Sequence, residues 1–274
     1  MSTKPIYDLA VFIGRFQPIH RGHLYAIRKG LEMAHRVLVI IGDTGGPRTI
    51  KNPWTFEERR HMLFESAPGQ IVVRQAIDHP YAEQEWVTQI QSIVSDGSHA
   101  SDQIIIIGHE KDQSSYYLRM FPQWRFHDTG YETLSNGVIG NFDATAIRKM
   151  YYEDILQYAS GIVPKSVMAL ILNMRDRDIS TYNGLVQEYK FIQEYRKSWE
   201  AAPFPPVFVT TDCVVVQSGH VLLVERGQNP GKGLMALPGG FIDQSEGIED
   251  CAIRELIEET SIKLQPEVLR RCIS

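Results

Sequence analysis

The strongest constraint in this sequence is the way short apolar runs alternate with helical patterns across its first half. Leu9 to Gly14, Val37 to Gly42, Ile71 to Ala76 and Ile104 to Gly108 are almost continuously apolar. Between them the spacing of apolar residues predicts helices from about Gly22 to Ala34, Phe56 to Glu65 and Gln84 to Val94. Strands that are apolar on both sides must be covered on both faces, which calls for a parallel sheet between helical layers. The expected fold of this part is a doubly wound α/β domain. In such sheets ligands bind beyond the carboxyl ends of the strands, so the residues after Ile13, Ile41 and Ile107 are the first to inspect.

Helical patterning resumes after Ala144, and Leu185, Tyr189, Ile192, Tyr195 and Trp199 recur at three- and four-residue spacing, expected to be a core-packing stripe. The segment Ala201 to Pro206, AAPFPP, cannot continue a helix, because proline removes a donor and restricts the residue before it. A domain boundary is expected there, with a first domain over residues 1–185, a helix end and Pro-rich linker over 186–206, and a second domain over 207–274. The second opens with a hairpin, VFVTTDCVVVQ and VLLVER around Ser218-Gly219, and ends in a helix over Ile248 to Glu259. Its strands-then-helix order makes it an α+β unit.

Composition narrows the classes of partner. With 28 basic against 33 acidic side chains the chain carries a net charge of −5 and lacks the basic excess of a nonspecific nucleic-acid binder. No apolar run is long enough to span a bilayer, and the start MSTKPIYDLA has no signal-peptide core. The expectation is a cytoplasmic enzyme of small molecules, with no nucleic acid and no membrane; homo-oligomerisation is left open. Cys213, Cys251 and Cys272 lie in or beside apolar segments without C-x-x-C spacing, so reduced packing residues are expected rather than disulfides or a zinc site.

After the first strand comes Gly14-Arg15-Phe16-Gln17-Pro18-Ile19-His20-Arg21-Gly22-His23, opening into a helix. Backbone N–H groups at a helix N-terminus favour anions, Gly22 permits close approach, and two histidines three residues apart can address one phosphate. The loop reads as a triphosphate site. His20-Arg21-Gly22-His23 matches the H-x-G-H signature of the nucleotidyltransferase superfamily, whose domain is Rossmann-like. The lead-in from Gly14 to Pro18 resembles nicotinamide mononucleotide (NMN) adenylyltransferases of archaeal type. Asn52-Pro53-Trp54-Thr55-Phe56-Glu57-Glu58-Arg59 resembles their N-P-[FW]-T-x-x-E-R segment, and Asp143 to Arg148 resembles their second phosphate motif, S-G-T-x-[IV]-R, with Asp143 and Ala144 as departures. The resemblance implies ATP and NMN as substrates and NAD as product, with Mg2+ bridging the nucleotide.

On that resemblance the catalytic set is His20, His23, Arg15 and Arg148, with Gly14, Phe16, Gln17, Gly22, Gly108, Thr145 and Ile147 at ATP. Asn52, Trp54, Thr55, Arg59 and Trp86 are expected at NMN, the tryptophans stacking on the pyridinium ring and Arg59 near the phosphate. Trp86 also sits on an apolar helical face, where a core role is about equally expected. The loop from Gly108 through His109, Glu110, Lys111 and Asp112 is expected to meet adenosine through its backbone.

In the second domain Glu255, Glu258 and Glu259 share one side of a helix, an arrangement whose repulsion suits a magnesium ion bridging a diphosphate. Gly240, Glu246, Arg254, Glu255, Leu256, Glu258, Glu259 and Ile262 match the Nudix box G-x5-E-x7-R-E-U-x-E-E-x-G-U, where U is aliphatic. Ser261 replaces the final glycine, a departure expected to strain the helix-to-loop turn. The resemblance implies Glu255 and Glu259 as principal Mg2+ ligands, Glu258 as a further ligand, Glu246 paired with Arg254, and a Gly239-Gly240 loop. Gly231-Lys232-Gly233 is no Walker A loop, because Arg226 stands in the first glycine's place.

Together the parts resemble the bifunctional NMN adenylyltransferase and Nudix hydrolase family, with ADP-ribose as the implied Nudix substrate. A cytidylyl- or pantetheine-type transferase would share His20 to His23 but not Asn52 to Arg59. A Nudix fold continues beyond its box, whereas this sequence stops twelve residues after Ile262. The expectation is a C-terminally truncated Nudix domain. The alternative it raises is a weak or inactive metabolite-sensing module.

Overall fold

The computed structural model describes residues 5–79, 81–110, 113–132, 140 and 142–263. It divides into two compact units, 1–186 and 187–274. Cys272 and the loop residues Lys111 and Asp112 lie outside the described residues.

In the first unit β1 (Tyr7–Gly14), β2 (Ala34–Ile41), β3 (Ile71–Gln75), β4 (Ile104–Gly108) and β5 (Arg125–Asp128) form one parallel sheet in the order β3-β2-β1-β4-β5. Helices α1 (Arg21–Met33), α2 (Phe56–Ser66) and α3 (Glu83–Asp96) provide the crossovers. The chain builds outward from β1 to β3, then returns to lay β4 on the other side of β1. The crevice between the ends of β1 and β4 is therefore the topological switch point.

The apolar runs lie where a two-sided burial demands. Val37 to Ile41 and Ile105 to Ile107 are buried, and Leu9, Val11, Ile13, Leu38, Ile40 and Ile106 join Ile90 and Val94 of α3 in one core. Gly30 lets α1 lie close on the sheet, since a Cβ there would come within 2.6 Å of Ile107 Cδ1 and 2.9 Å of Val37 Cγ2. Beyond β5 come α4 (Ala144–Tyr152), α5 (Lys165–Arg177) and α6 (Ile179–Ser198). The short, half-buried β5 is an element that its sequence, RFHD, does not announce.

The stripe expected to be core along α6 is corrected. Only Leu185 is buried, whereas Tyr195 and Trp199 are 38% and 42% exposed. Both rings touch Phe208, at centroid separations of 5.7 and 5.2 Å, so they form a surface aromatic cluster. Periodicity reports which residues share a helix face, not how deeply that face is covered.

In the second unit β6 (Thr210–Asp212) pairs antiparallel with β11 (Gly239–Phe241), β7 (Val216–Gln217) with β8 (His220–Val221), and β9 (Val224–Glu225) with β10 (Met235–Ala236). The turn between β7 and β8 falls on Ser218 and Gly219, both at positive φ, the geometry of a tight hairpin. Helix α7 (Ile248–Thr260) packs on β6 and β11, with Cys213, Ala252 and Leu256 as its buried seam. Cys213 and Cys251 are free and buried, as expected of packing residues.

Ser261 caps α7 in the left-handed region, with φ +61° and ψ +11°. A side chain there crowds the carbonyl, at a cost of about 1–2 kcal/mol. Replacing Ser261 by Gly is expected to raise the urea midpoint of this unit, a gain of about 1 kcal/mol. An unchanged or lower midpoint would show that the turn carries no strain.

Candidate active site

The loop leaving β1 enters α1 through His20, the N-cap, so His23 occupies the third helical position. The two rings stack at a centroid separation of 3.6 Å and an interplanar angle of 24°. The His20 backbone N–H donates to His23 Nδ1 (3.3 Å). Because a backbone amide can only donate, Nδ1 is the unprotonated nitrogen and the proton of neutral His23 sits on Nε2. Burial, reinforced by the charge of His20, holds the His23 pKa well below its ordinary value. The pair thus offers a neutral, oriented N–H donor rather than a fixed cation. Gly22 lies against His20 and Phe142, where a Cβ would come within 3.1–3.2 Å of both rings.

Two arginines flank this loop. Arg148, 131 residues away from Gln17 in sequence, donates to the Gln17 carbonyl (2.7 Å) and to Thr145 Oγ1 (3.2 Å), which brings α4 to the histidine loop. Burial lowers its pKa. Arg15 is largely exposed and lies 3.7 Å from Asp78. At the start of α4, Asp143 accepts the Thr145 N–H (2.9 Å), so the residue that departs from the family's serine is a helix cap.

Several residues expected at the ligands make structural contacts. Arg59 is 1% exposed. It donates to the carbonyls of Arg15 (2.7 Å), Gly42 (2.8 Å), Asp43 (3.0 Å) and Thr55 (3.1 Å). Burial pushes its pKa down to about 10. These bonds tie the loops together from behind the cavity that Arg59 helps to line. Gln17 is buried and exchanges two hydrogen bonds with the backbone of Trp54, at 2.8 and 3.1 Å. Phe16, at φ +53°, buries its ring against His23 and under Gly14. Ile147 is likewise core. The side chains of all three shape the loop or the core behind it.

At the second-substrate end, Trp54 is 2% exposed and packs on Tyr151, whereas Trp86 is half-buried against Tyr117 and Phe121. The tryptophans belong to separate clusters, and of the two only Trp54 is fully buried. Thr55 caps α2 in a reciprocal box with Glu58. Glu58 is in turn clamped in bidentate fashion by Arg48 (2.6 and 2.8 Å), which holds its carboxyl below the usual range although burial opposes this. Asn52 donates to the Asp43 carboxylate, leaving its buried Oδ1 without a partner. Asp43, Asn52, Trp54, Thr55, Arg59 and Gln75 contribute to the lining of a cavity of about 320 Å³.

Asp78 was not foreseen: its carboxylate accepts the Asp43 N–H (3.2 Å) and faces Arg15, joining the loops after β1, β2 and β3. Its place just past the carboxyl end of a strand was the available signal. Gly108 ends β4, and its carbonyl accepts the Thr129 N–H (2.8 Å).

In the second unit Arg254 grips Glu246 through two bonds (2.8 and 2.9 Å) and also reaches Glu255 (2.8 Å) and Glu258 (3.3 Å). Hydrogen bonds from Arg254 and the Asp243 N–H lower the Glu246 pKa to about 2. Glu259 accepts the Gly239 N–H (3.1 Å), and a Cβ on Gly240 would overlap the Glu255 carboxylate. Strand β11 thus lies directly on the carboxylate face of α7. Among the described residues no three acidic, histidine or cysteine side chains are already gathered around a cation position. The donors are nonetheless carboxylate oxygens, the chemistry a hard divalent cation requires, and Gly240 lets β11 approach Glu255 closely.

Known proteins resemble both units. Residues 11–125 match the cytidylyltransferase-like family model and residues 207–272 the NUDIX domain model. A nicotinamide/nicotinic acid mononucleotide adenylyltransferase of Acinetobacter baylyi is 33% identical over 188 residues, 67% of this chain and 94% of that protein. The crystal structure of a bifunctional NMN adenylyltransferase/ADP-ribose pyrophosphatase from Francisella tularensis, complexed with AMP and manganese, superposes with a TM-score of 0.81 at 36% identity. The match covers 96% of this chain and 76% of that one.

The chain belongs to the bifunctional NMN adenylyltransferase and Nudix hydrolase family.

An ADP-ribose pyrophosphatase of Methanocaldococcus jannaschii adds 41% identity over 54 residues, 20% of this chain and 32% of that protein. In this family member no helix of the described residues is long and apolar enough to cross a membrane.

The His23 pKa gives a stability test. Its folded value lies below the ordinary 6.5, so the unfolded chain takes up the proton first as pH falls. Stability is full above about 6.5 and declines with pH below it. Urea unfolding at pH 7 and pH 5 is expected to show a smaller loss in His23→Gln than in the wild type. Equal losses would show that His23 titrates normally in the folded protein.

Proposed function

We propose that the first unit transfers an adenylyl group from ATP to NMN, giving NAD and pyrophosphate, and that the second hydrolyses ADP-ribose to AMP and ribose 5-phosphate. The observation that carries the first reading is the convergence of His20, His23 and Arg148 on one loop at the N-terminus of α1, beyond the carboxyl end of β1. A phosphate oxygen of NMN attacks the α-phosphorus of ATP, and pyrophosphate departs with the bridging oxygen. No protein nucleophile is needed; alignment of two anions and stabilisation of the developing charge suffice.

In this mechanism His23 donates from Nε2 to the α-phosphate, His20 assists, and Arg15 and Arg148 neutralise the β- and γ-phosphates. Gly14 and Gly22 keep the loop open to the nucleotide, with Thr145 beside the triphosphate and Gly108 beside the adenosine. Phe16, Gln17 and Arg59 act by holding the loops in place. Asn52, Trp54 and Thr55 border the cavity offered to NMN, with Trp86 placed to meet the ring after a side-chain movement. Mg2+, when bound, neutralises phosphate charge in the transferase and activates water in the hydrolase. In the second unit Glu255, Glu258 and Glu259 would hold that ion once Arg254 loosens its bonds to Glu255 and Glu258, while Glu246 keeps Arg254 in place. A domain boundary within the 186–206 segment and a cytoplasmic location complete the reading. The sensing alternative finds no support among the named relatives.

The test is product analysis of the purified protein with Mg2+ and either ATP plus NMN or ADP-ribose. NAD and pyrophosphate are expected in the first reaction, AMP and ribose 5-phosphate in the second. Loss of a transition-state donor in His23→Ala should lower kcat for transfer by about 10²–10³-fold, and Glu259→Gln should slow hydrolysis alone. Loss of transfer in Glu259→Gln would contradict two independent sites, and wild-type kcat in His23→Ala would remove the histidine from the mechanism.

A further inference from the structure

His109 is the first residue beyond β4, at the switch-point crevice, and its ring is fixed by the neighbouring strand. Asp128, the last residue of β5, pairs in register with Gly108 and places Oδ1 3.0 Å from His109 Nδ1. The same oxygen accepts the Gly130 N–H (2.8 Å). Although burial opposes it, the Gly130 and His109 hydrogen bonds hold the Asp128 carboxyl below its ordinary range, so it is ionised and Nδ1 carries the proton. The other nitrogen, Nε2, is then a lone-pair acceptor in neutral His109. It is sealed from solvent and has no hydrogen-bond partner. Against the imidazole lies the ring of Tyr131, at a centroid separation of 4.0 Å and an interplanar angle of 59°, and its 42% exposure leaves that ring room to turn outward.

A buried acceptor fixed in direction and left without a donor is costly unless a ligand completes it. We infer that His109, oriented by Asp128, is a recognition residue that accepts a hydrogen bond from the adenosine part of ATP, with Tyr131 as the movable wall of that pocket. This rests on the reading of the first unit as an ATP-dependent transferase. Adenosine offers such a donor at the ribose hydroxyls or the 6-amino group, and the lone pair of Nε2 suits either. Asp128 acts through His109 and is a positioning residue.

The test is calorimetric titration of ATP, 2′-deoxy-ATP, 3′-deoxy-ATP and the triphosphate of purine riboside, which lacks the 6-amino group, into wild type, His109→Ala, His109→Gln and Asp128→Asn. His109→Ala is expected to weaken ATP binding by ten- to a hundredfold, with partial rescue in His109→Gln, whose amide can return an acceptor. One analogue should bind the wild type as weakly as ATP binds His109→Ala, and in that variant it should match ATP, which identifies the group recognised. Asp128→Asn should weaken ATP binding by a smaller factor without changing that analogue's affinity. Unchanged ATP affinity in His109→Ala, or the same loss for every analogue in both proteins, would overturn the inference. Tight ATP binding without NAD formation in the wild type would count against the proposed reaction alone, since the binding comparison does not depend on turnover.

Discussion

The first unit depends on one buried guanidinium. Arg59 projects from α2 into the space behind the loops that follow β1 and β2, and satisfies carbonyls from Arg15, Gly42, Asp43 and Thr55. The bond to the Gly42 carbonyl is buried, and that oxygen would otherwise be left unsatisfied at a cost of about 1–3 kcal/mol. Spreading one rigid fork over three segments fixes their separation in a way that apolar packing cannot. Gln17 adds a second clip to Trp54, and Asp78 ties Asp43 to the neighbourhood of Arg15.

On this frame the charged groups divide into fixed and movable. His23 is neutral and held by backbone, and Arg148 is half-buried against the Gln17 carbonyl, so both are oriented before any ligand arrives. Arg15 is exposed and its 3.7 Å contact with Asp78 is loose enough to release. A triphosphate would find a prealigned neutral donor and gather the mobile cation. The second unit follows a different logic. Arg254 holds Glu255 and Glu258 of α7 together with Glu246 from just before the helix, and Gly240 of β11 admits the strand against Glu255.

Much of the fold was legible in the sequence, since continuous apolar strands leave little choice but a two-sided parallel sheet. The order of elements up to β4 and the helix carrying Glu255 and Glu259 follow from periodicity alone. Less legible was the division of labour within the motifs. Gln17, Trp54 and Arg59 stand in segments that resemble ligand-binding motifs, yet their side chains turn inward, because a loop that cradles phosphate needs its own backbone carbonyls satisfied from behind. Direction of a side chain in an irregular loop is set by tertiary partners, which spacing does not encode. The α6 stripe fails for a related reason: a helix face can be aromatic and still remain at the surface. Asp128 and β5 escaped notice because four half-buried residues carry no clear period.

The central claim, that Arg59 builds the site by holding its loops together, is tested most directly by Arg59→Gln. The measurement is steady-state transfer kinetics for both substrates, read alongside urea unfolding. If Arg59 positions the loops, KM should rise for ATP and NMN together, the unfolding midpoint should fall, and ADP-ribose hydrolysis should be unaffected. A rise in KM for NMN alone, with stability intact, would contradict the account and return Arg59 to the phosphate.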